Sequence, residues 1–323
     1  MLEIMNNIRV GQIGCGHWGK NITRNLINLG VLDKIFDANL DQLKTLGFDN
    51  SLHCKNVDEI LNDEKINCVV ISSPAKTHAN YAIEALNKNK HVFIEKPFTT
   101  SLKDANSIVN VAKKNNKIVF VGHLLHYHNA FIELKKQINN GIIGNVNVIK
   151  ANRLNFGAIR SNESVLYDLA SHDISMILSI VDDHPNEIQV NSIFKNSSLF
   201  PDILNIMLRF PNGTFANINS NWINPYKEHK FTVLGSKGSL IFDDTKEWKE
   251  KLCFNPSYIN QDLSINQKNI NFLKLTEEEP LKKELESFIN CINYDKKPMT
   301  DCYEALKVQT VMDEIDDKIK YQN

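Results

Sequence analysis

The sequence predicts an α/β protein in which a doubly wound parallel sheet is followed by an α+β domain with a large, mostly antiparallel open sheet. Two observations predict this fold class. From Ile8 to about Gly122, short apolar runs alternate with segments of helical period, which is typical of a parallel sheet. After Gly122, several strand-like segments follow one another with turn sequences such as PNGT and GSKGS, which is typical of antiparallel pairs. We therefore expect domains at 1–122 and 123–323.

The elements of the first domain follow from apolar periodicity. Runs rich in Val, Ile and Phe predict buried strands at IRVGQIG, DKIFD, NCVVISS, HVFIE and KIVFVG. Apolar residues at three- and four-residue spacing predict helices at NITRNLINLG, VDEILND, HANYAIEALNKNK and SLKDANSIVNVAKKNNK.

The second domain has a different order of predicted helices and strands. It begins with a predicted helix, strand and helix at NAFIELKKQINNG, NVNVIKANRLN and VLYDLASHDISMILSIV. Strands are then predicted at NEIQVNSIF, DILNIMLRF, TFANINS, HKFTVLG and SLIFDD. The helices LKKELESFINCI and DCYEALKVQTVMDEIDDKI close the chain.

Composition narrows the possible partners. The chain of 323 residues carries 37 basic and 38 acidic residues, so its charge favours neither nucleic acid nor an anionic membrane as a partner. The six cysteines are scattered and form no CxxC pair, which predicts neither a disulfide framework nor a zinc site. No leader sequence or long apolar stretch is seen, so we expect a cytoplasmic protein.

A glycine-rich turn follows the first predicted strand. Gly14, Gly16 and Gly19 form a GxGxxG pattern, with His17 and Trp18 inside it, at the start of a predicted helix. Small residues there let the backbone approach a pyrophosphate, and the helix N-terminus attracts the anion. Asp37 ends the second strand 18 residues later, where a carboxylate meets ribose hydroxyls and repels a 2′-phosphate. These residues predict a Rossmann domain that binds NAD in preference to NADP.

The segment YDLASHDI places Asp168 four residues before His172. On an α-helix this spacing puts both side chains on one face, where a carboxylate can orient an imidazole that acts as a general base. The same spacing also occurs on the polar face of an ordinary helix, or in part of a metal site. Asp173 lies about 100° away from His172 round the helix, so we expect it to cap or to pair elsewhere.

Two further stretches carry a family resemblance. SSPAKTHANYA at 72–82 and HVFIEKPFTT at 91–100, together with the glycine motif and YDLASHDI, resemble the glucose–fructose oxidoreductase/inositol dehydrogenase (Gfo/Idh/MocA) superfamily. The resemblance implies an NAD-binding Rossmann domain and a C-terminal domain that binds substrate and forms homo-oligomers through its sheet. It implies that the dinucleotide is lined by Ser72, Ser73, Pro74, His78, Glu95 and Lys96. It further implies a catalytic set of Lys96, His172 and Asp168.

Substrate residues are predicted from two more segments. HLLHYH, which contains Tyr127, lies where the domains meet in the sequence; its histidines are open to site-lining, structural or metal roles, and we expect no metal. Arg153, Asn155 and Arg160 precede the Asp168 segment, and a guanidinium matches a phosphate or carboxylate. The pattern RLNxGxIR followed by VxxDLxxHDI resembles the branch that contains UDP-N-acetylglucosamine 3-dehydrogenases.

We therefore expect an NAD-dependent enzyme that oxidises a ring hydroxyl, at C3, of a nucleotide-linked amino sugar. Three alternatives stay open at this point. They are a reductase of a nucleotide-linked keto-sugar, a dehydrogenase of a free sugar or inositol, and a non-catalytic NAD sensor. The presence of both Lys96 and His172 argues against the sensor, since a sensor has no need to move a proton.

Overall fold

The computed structural model describes residues 8–157, 159, 163–196, 199–260 and 262–320, apart from the side chain of Gln42. The chain folds as two compact units. The first comprises the chain up to Leu124 together with Glu279–Gln309, and the second comprises Leu125–Glu278 and the chain from Thr310 onward. The predicted functional division at residue 122 stays a prediction.

The first unit contains a parallel sheet of five strands in the order β2-β1-β3-β4-β5. The strands are β1 (Val10–Ile13), β2 (Leu32–Phe36), β3 (Cys68–Ile71), β4 (His91–Glu95) and β5 (Val119–Gly122). The helices are α1 (Gly19–Asn28), α2 (Leu40–Thr45), α3 (Asp58–Leu61), α4 (His78–Asn87), α5 (Leu102–Asn115) and, later in the chain, α8 (Pro280–Asn293). Because β1, β3 and β5 are buried along their whole length, these strands are apolar runs rather than alternating ones.

Aromatic packing joins α8 to the sheet of the first unit. The ring of Phe288 lies 5.7 Å from that of Phe93 and 5.6 Å from that of Phe120, both edge-on. Phe93 and Phe120 in turn stack on each other across β4 and β5 at 5.3 Å. This cluster explains why a helix distant in the sequence belongs to the first unit.

The second unit contains a sheet of eight strands in the order β15-β12-β11-β10-β6-β9-β8-β7. Only β6 and β9 pair in parallel within it. The strands are β6 (Val146–Phe156), β7 (Glu187–Ile193), β8 (Ile203–Arg209), β9 (Phe215–Asn221), β10 (Ile223–Gly235), β11 (Gly238–Asp243), β12 (Leu252–Asn255) and β15 (Asn271–Phe272). A separate hairpin joins β13 (Tyr258–Ile259) and β14 (Ile265–Asn266). Its helices are α6 (Asn129–Asn139) and α7 (Ser171–Val181). The last helix, α9 (Cys302–Lys320), belongs to the first unit up to Gln309 and to the second from Thr310.

The predicted fold class is confirmed, with two local differences. The short strands β12 to β15 were not predicted, because two to four residues are too few to show a period. The expected single helix around Asp168 is also wrong in detail. Leu166–Ala170 forms a π-helical turn, in which the Ser171 N–H donates to the Leu166 carbonyl, and α7 begins only at Ser171.

The cysteines share one environment. All six are free thiols in the interior. Burial raises the pKa of every one of these thiols, to about 11 for Cys54 and about 12 for Cys302. Within the described residues, no helix combines the length and apolar character needed to cross a bilayer.

Candidate active site

The glycine-rich turn after β1 is shaped by close backbone contacts. Gly14 has a φ of +94°, and a Cβ on it would lie 2.4 Å from the backbone N of Ser73. A Cβ on Gly19 would lie 2.8 Å from the Gly14 carbonyl oxygen. A Cβ on Gly16, in contrast, would meet nothing within 4 Å. Gly14 and Gly19 are therefore needed for the packing of the turn itself, whereas Gly16 leaves open space above the turn.

Gln12 holds this turn together, and sequence reasoning missed it. Its buried amide nitrogen donates to the carbonyls of Gly14 and Gly19 at 2.9 and 3.0 Å and to the Ser72 hydroxyl at 3.2 Å. Its oxygen accepts from Thr23 at 2.8 Å. The available signal was a polar residue in the middle of a fully buried strand, where only a satisfied amide is stable.

Asp37 lies one residue beyond β2 and is held by two backbone donors. Its Oδ2 accepts from the Cys15 N–H at 2.6 Å, and its Oδ1 accepts from the Asn39 N–H at 2.8 Å. A carboxylate has further lone pairs, so it can still accept from sugar hydroxyls. Asp37, the acid predicted to bind the ribose, is thus hydrogen-bonded directly to the glycine-rich turn.

Trp18 connects that turn to the end of β4. Its indole N–H donates to Glu95 Oε1 at 2.9 Å, and the backbone N–H of Lys96 donates to Glu95 Oε2 at 3.1 Å. Burial raises the pKa of Glu95, while the hydrogen bond from Trp18 and the charges of Lys96 and His123 oppose the rise. Lys96 itself is partly buried, and its peptide bond to Pro97 is cis. His17 is exposed on the turn.

The loop after β3 is held by a serine and a histidine. The Ser72 hydroxyl donates to the Gly14 carbonyl at 2.7 Å. His78 is 1% exposed, and its two ring nitrogens lie 2.9 Å from the carbonyl oxygens of Ser73 and Pro97. Burial lowers the pKa of His78, and the carbonyl contacts oppose this. His78 therefore ties the loop containing Pro74 to the turn that follows Lys96.

These residues fit a dinucleotide. The space above Gly16 lies at the N-terminus of α1, which has no side-chain cap, so an anion bound there would face the positive end of the helix dipole. Asp37 would offer an acceptor to a ribose, and Glu95 lies at the carboxyl end of β4 in the same sheet, where ligands bind in open α/β sheets. The predicted cofactor residues thus cluster at one edge of the parallel sheet.

The second unit carries two of the three predicted catalytic residues, Asp168 and His172. Asp168 lies in the π-helical turn, and His172 is the second residue of α7. Both side chains are partly buried. Because Asp168 lies in a π-helical turn, the α-helical geometry that places residues i and i+4 one above the other does not apply to Asp168 and His172. Their roles stay predictions.

Arg153 and Asp173 form a buried ion pair beside His172. Arg153 Nε and Nη2 donate to the two carboxylate oxygens of Asp173 at 2.9 and 2.8 Å, and the side chains are 9% and 2% exposed. Burial lowers the pKa of Arg153, but the charge and hydrogen bonds of Asp173 outweigh it and raise the pKa overall. The expectation that Asp173 pairs away from His172 agrees with this contact. Any contact of Arg153 with substrate would have to use its remaining N–H groups.

The other predicted substrate residues are Tyr127, Asn155 and Arg160. Asn155 follows Arg153 by two residues on β6 and is partly buried, and Tyr127 is 3% exposed. Arg160 lies outside the described residues. The substrate-binding roles of all four residues stay predictions.

The three histidines of HLLHYH have three separate partners. His123 Nδ1 lies 2.7 Å from Glu304 Oε2, and His126 Nε2 lies 2.6 Å from the Ser175 hydroxyl. His128 accepts from the Ala130 N–H at 3.1 Å and stacks on Trp248 with ring centroids 5.0 Å apart. Each imidazole therefore has a local structural contact of its own.

Comparison with known proteins places this geometry in a family. A myo-inositol 2-dehydrogenase from Thermotoga maritima is 27% identical over 262 residues, which is 74% of this chain and 76% of that protein. A UDP-N-acetylglucosamine 3-dehydrogenase from Acidithiobacillus ferrooxidans is 27% identical over 218 residues, 66% of this chain and 67% of that protein. The solved structure of the latter enzyme superposes with a TM-score of 0.84 at 21% identity, covering 96% of this chain and 97% of that one.

Family models match both parts of the chain. The model described as an oxidoreductase family with an NAD-binding Rossmann fold matches residues 8–123. The model of the GFO/IDH/MocA C-terminal domain matches residues 131–241. The chain is therefore an oxidoreductase of the Gfo/Idh/MocA family, and its parallel sheet is the NAD-binding Rossmann fold of that family.

Proposed function

We propose that this protein oxidises a ring hydroxyl, at C3, of a nucleotide-linked amino sugar such as UDP-N-acetylglucosamine or its uronic acid, with NAD as the oxidant. The observation that carries the substrate is the likeness to UDP-N-acetylglucosamine 3-dehydrogenase, which is found in both the sequence and the structure comparison. The segment from Arg153 to His172 carries the matching sequence pattern.

The preference for NAD rests on Asp37. Its carboxylate is held at the end of β2 by the N–H groups of Cys15 and Asn39. A carboxylate fixed in this position accepts from ribose hydroxyls and repels a 2′-phosphate. We expect Asp37→Ser to reduce the ratio of NAD affinity to NADP affinity, measured by equilibrium binding. Equal affinities of the unchanged protein for the two cofactors would contradict the preference.

Proton transfer is assigned to residues of the chain. When bound, NAD supplies the hydride acceptor. His172 takes the proton of the substrate hydroxyl, since an imidazole can accept a proton near neutral pH. Lys96 donates a hydrogen bond to the oxygen as it becomes a ketone, and Asp168 orients His172. Pro74, His17 and Trp18 belong to the loops that hold the dinucleotide.

In this proposal the two units bind different ligands. The first unit binds the dinucleotide. The second binds the sugar, with Tyr127, Arg153, Asn155 and Arg160 as the candidate contacts, and forms a homo-oligomer through its eight-stranded sheet. A cytoplasmic location belongs to the same proposal.

The test is the appearance of reduced nicotinamide with purified protein and NAD. The substrate panel contains UDP-N-acetylglucosamine, its uronic acid, free N-acetylglucosamine and myo-inositol. We expect turnover with a nucleotide-linked sugar and none with the free sugar. Turnover with the free compounds alone would overturn the proposed substrate.

The role of His172 is tested by His172→Asn. We expect turnover to fall by about 100- to 10,000-fold, because a general base is lost. Binding of NADH, followed by its fluorescence, serves as the control and should not change. Full turnover in this variant would contradict the assignment of proton transfer.

A second candidate is a dehydrogenase of a free cyclic polyol. It is favoured by the myo-inositol 2-dehydrogenase of Thermotoga maritima, which matches a larger share of this chain at the same identity. The panel above separates the two candidates, because only a nucleotide-linked sugar offers phosphates to an arginine.

A further inference from the structure

An acid lies on the apolar face of α8. Glu284 is completely buried, and the same face of the helix carries Leu281, Leu285, Phe288 and Ile289. Among the described residues, neither carboxyl oxygen of Glu284 has a hydrogen-bond partner. Burying an ionised carboxylate without a donor is very unfavourable, so this acid needs either a proton or an unseen partner.

The titratable neighbour of Glu284 is Glu95. Each charge disfavours the other, and burial together with Glu95 raises the pKa of Glu284 well above its ordinary value. The carboxyl group of Glu95 lies against Gly122, where an added Cβ would come within 3.2 Å of it. Phe288, one helical turn after Glu284, packs on Phe93 and Phe120, which lie two residues before Glu95 on β4 and before Gly122 on β5. Helix α8 therefore lies along β4 and β5, and Glu284 belongs to the same part of the first unit as Glu95.

The surroundings of the two acids differ. Glu95 accepts from the Trp18 indole and the Lys96 backbone, and the charges of Lys96 and His123 favour its ionised form. His123 in turn contacts Glu304, so the carboxylate of Glu304 already has a partner of its own. Glu284 has no donor among the described residues. Since two adjacent buried carboxyl groups cannot both be ionised, the group without donors keeps the proton.

We propose that Glu95 and Glu284 are a buried carboxyl pair that holds a single proton, carried by Glu284, and that Glu284 is a positioning residue for Glu95. The neutral acid keeps Glu95 ionised and fixed as the acceptor for Trp18 and for the backbone of Lys96. The effect on Lys96 rests on the function proposed above, whereas the location of the proton does not.

The first experiment locates the proton without substrate or cofactor. The protein is labelled with ¹³C at its glutamate carboxyl groups, and the resonance of Glu284 is assigned as the one lost in Glu284→Gln. We expect this resonance to stay that of a neutral acid from about pH 5 to about pH 8. Glu286→Gln is the matched control, since Glu286 lies on the same helix and pairs with Lys282 at its surface. A Glu284 resonance that titrates near about pH 4.3 would overturn the proposal.

The second experiment separates a positioning role from a merely structural one. Glutamine is uncharged and polar, as the neutral acid is, whereas leucine has no polar group beside Glu95. The fluorescence of Trp18 is obtained by subtracting the signal of a Trp18→Phe protein. We expect Glu284→Gln to leave this fluorescence unchanged and to keep NADH affinity within about threefold. Glu284→Leu should change the fluorescence and weaken NADH binding by about tenfold or more.

Two outcomes would contradict the proposal. If the leucine and glutamine variants bind NADH equally and share the same Trp18 signal, Glu284 does not position Glu95. If Na⁺ or Mg²⁺ stabilises the unchanged protein against heat but not Glu284→Gln, a cation rather than a proton lies between the acids. The labelling result stands whether or not any sugar is turned over, so failure of the proposed function can be recognised separately.

Discussion

Two buried ionisable pairs, one in each unit, meet the same electrostatic problem in different ways. In the second unit, Arg153 and Asp173 carry opposite charges and bind each other through two hydrogen bonds. In the first unit, Glu95 and Glu284 are both acids, and one must hold a proton. The oppositely charged pair is insensitive to pH near neutrality, whereas the protonation of the acid pair depends on the pH. Of these two pairs, the acid pair should therefore give the larger pH dependence of stability.

Each pair also adjoins a residue proposed to be catalytic. Asp173 follows His172 directly, and Glu95 directly precedes Lys96. A side chain whose chain neighbour is locked in the interior has a restricted backbone, which is what a reacting group requires. The comparison suggests that the positions of His172 and Lys96 are set by buried groups next to them in the chain. Breaking either pair tests this.

Removing Asp173 should have the largest effect on stability. Asp173→Ala leaves the guanidinium of Arg153 buried and uncompensated, so we expect a loss of about 3–5 kcal/mol in the free energy of unfolding. Denaturant unfolding of the purified protein measures this. Glu286→Ala, which breaks the surface pair with Lys282, is the matched control and should lose less than about 1 kcal/mol. Similar losses in the two variants would show that the buried pair contributes no more than a surface one.

His78 is a buried titratable group held by backbone carbonyls rather than by a charge, and its loss should have an intermediate effect. His78→Ala removes the contacts to Ser73 and Pro97, and we expect a loss of about 1–3 kcal/mol in the free energy of unfolding at about pH 8.

The pH dependence of this loss sharpens the test. Because burial lowers the pKa of His78 in the folded state, its contribution is present above the unfolded pKa of about 6.5 and is lost as the pH falls through the folded value. The alanine variant should therefore approach the unchanged protein in stability as the pH falls. A difference that is independent of pH would mean that His78 binds protons equally in both states.

The acid pair should give a pH dependence of the opposite sign. The pKa of Glu284 is raised in the folded state, so its contribution is present below the unfolded pKa of about 4.3 and is lost as the pH rises toward the folded value. Each pH unit in this range should lower the free energy of unfolding by up to about 1.4 kcal/mol relative to Glu284→Gln. Parallel stability curves for the two proteins between about pH 5 and about pH 8 would rule this out.

Sequence patterns predicted the fold well because they are local. The buried strands of the first unit are visible as apolar runs, and the turn with Gly14 and Gly19 has a spacing that its packing requires. The π-helical turn after Val165 could not be foreseen, since it differs from an α-helix by one added residue per turn.

The partners of buried polar groups were harder to predict. Glu284 occupies an apolar position of its helix, which marks it as unusual, but its neighbour Glu95 is far away in the sequence. Arg153 was expected to bind an anion, and the sequence did not indicate that Asp173 would take that place. Such pairs depend on which faces meet in the fold, and one sequence carries no record of that.

The buried thiols make the protein convenient for site-directed labelling. None of the six cysteines is more than 9% exposed, and burial disfavours the thiolate that reacts with maleimides. A single cysteine introduced at an exposed position such as His17 or Tyr226 should therefore react selectively in the native protein. Dyes or spin labels could then be attached without first removing the natural cysteines, and two such cysteines within one unit would allow a distance to be followed while ligands are added.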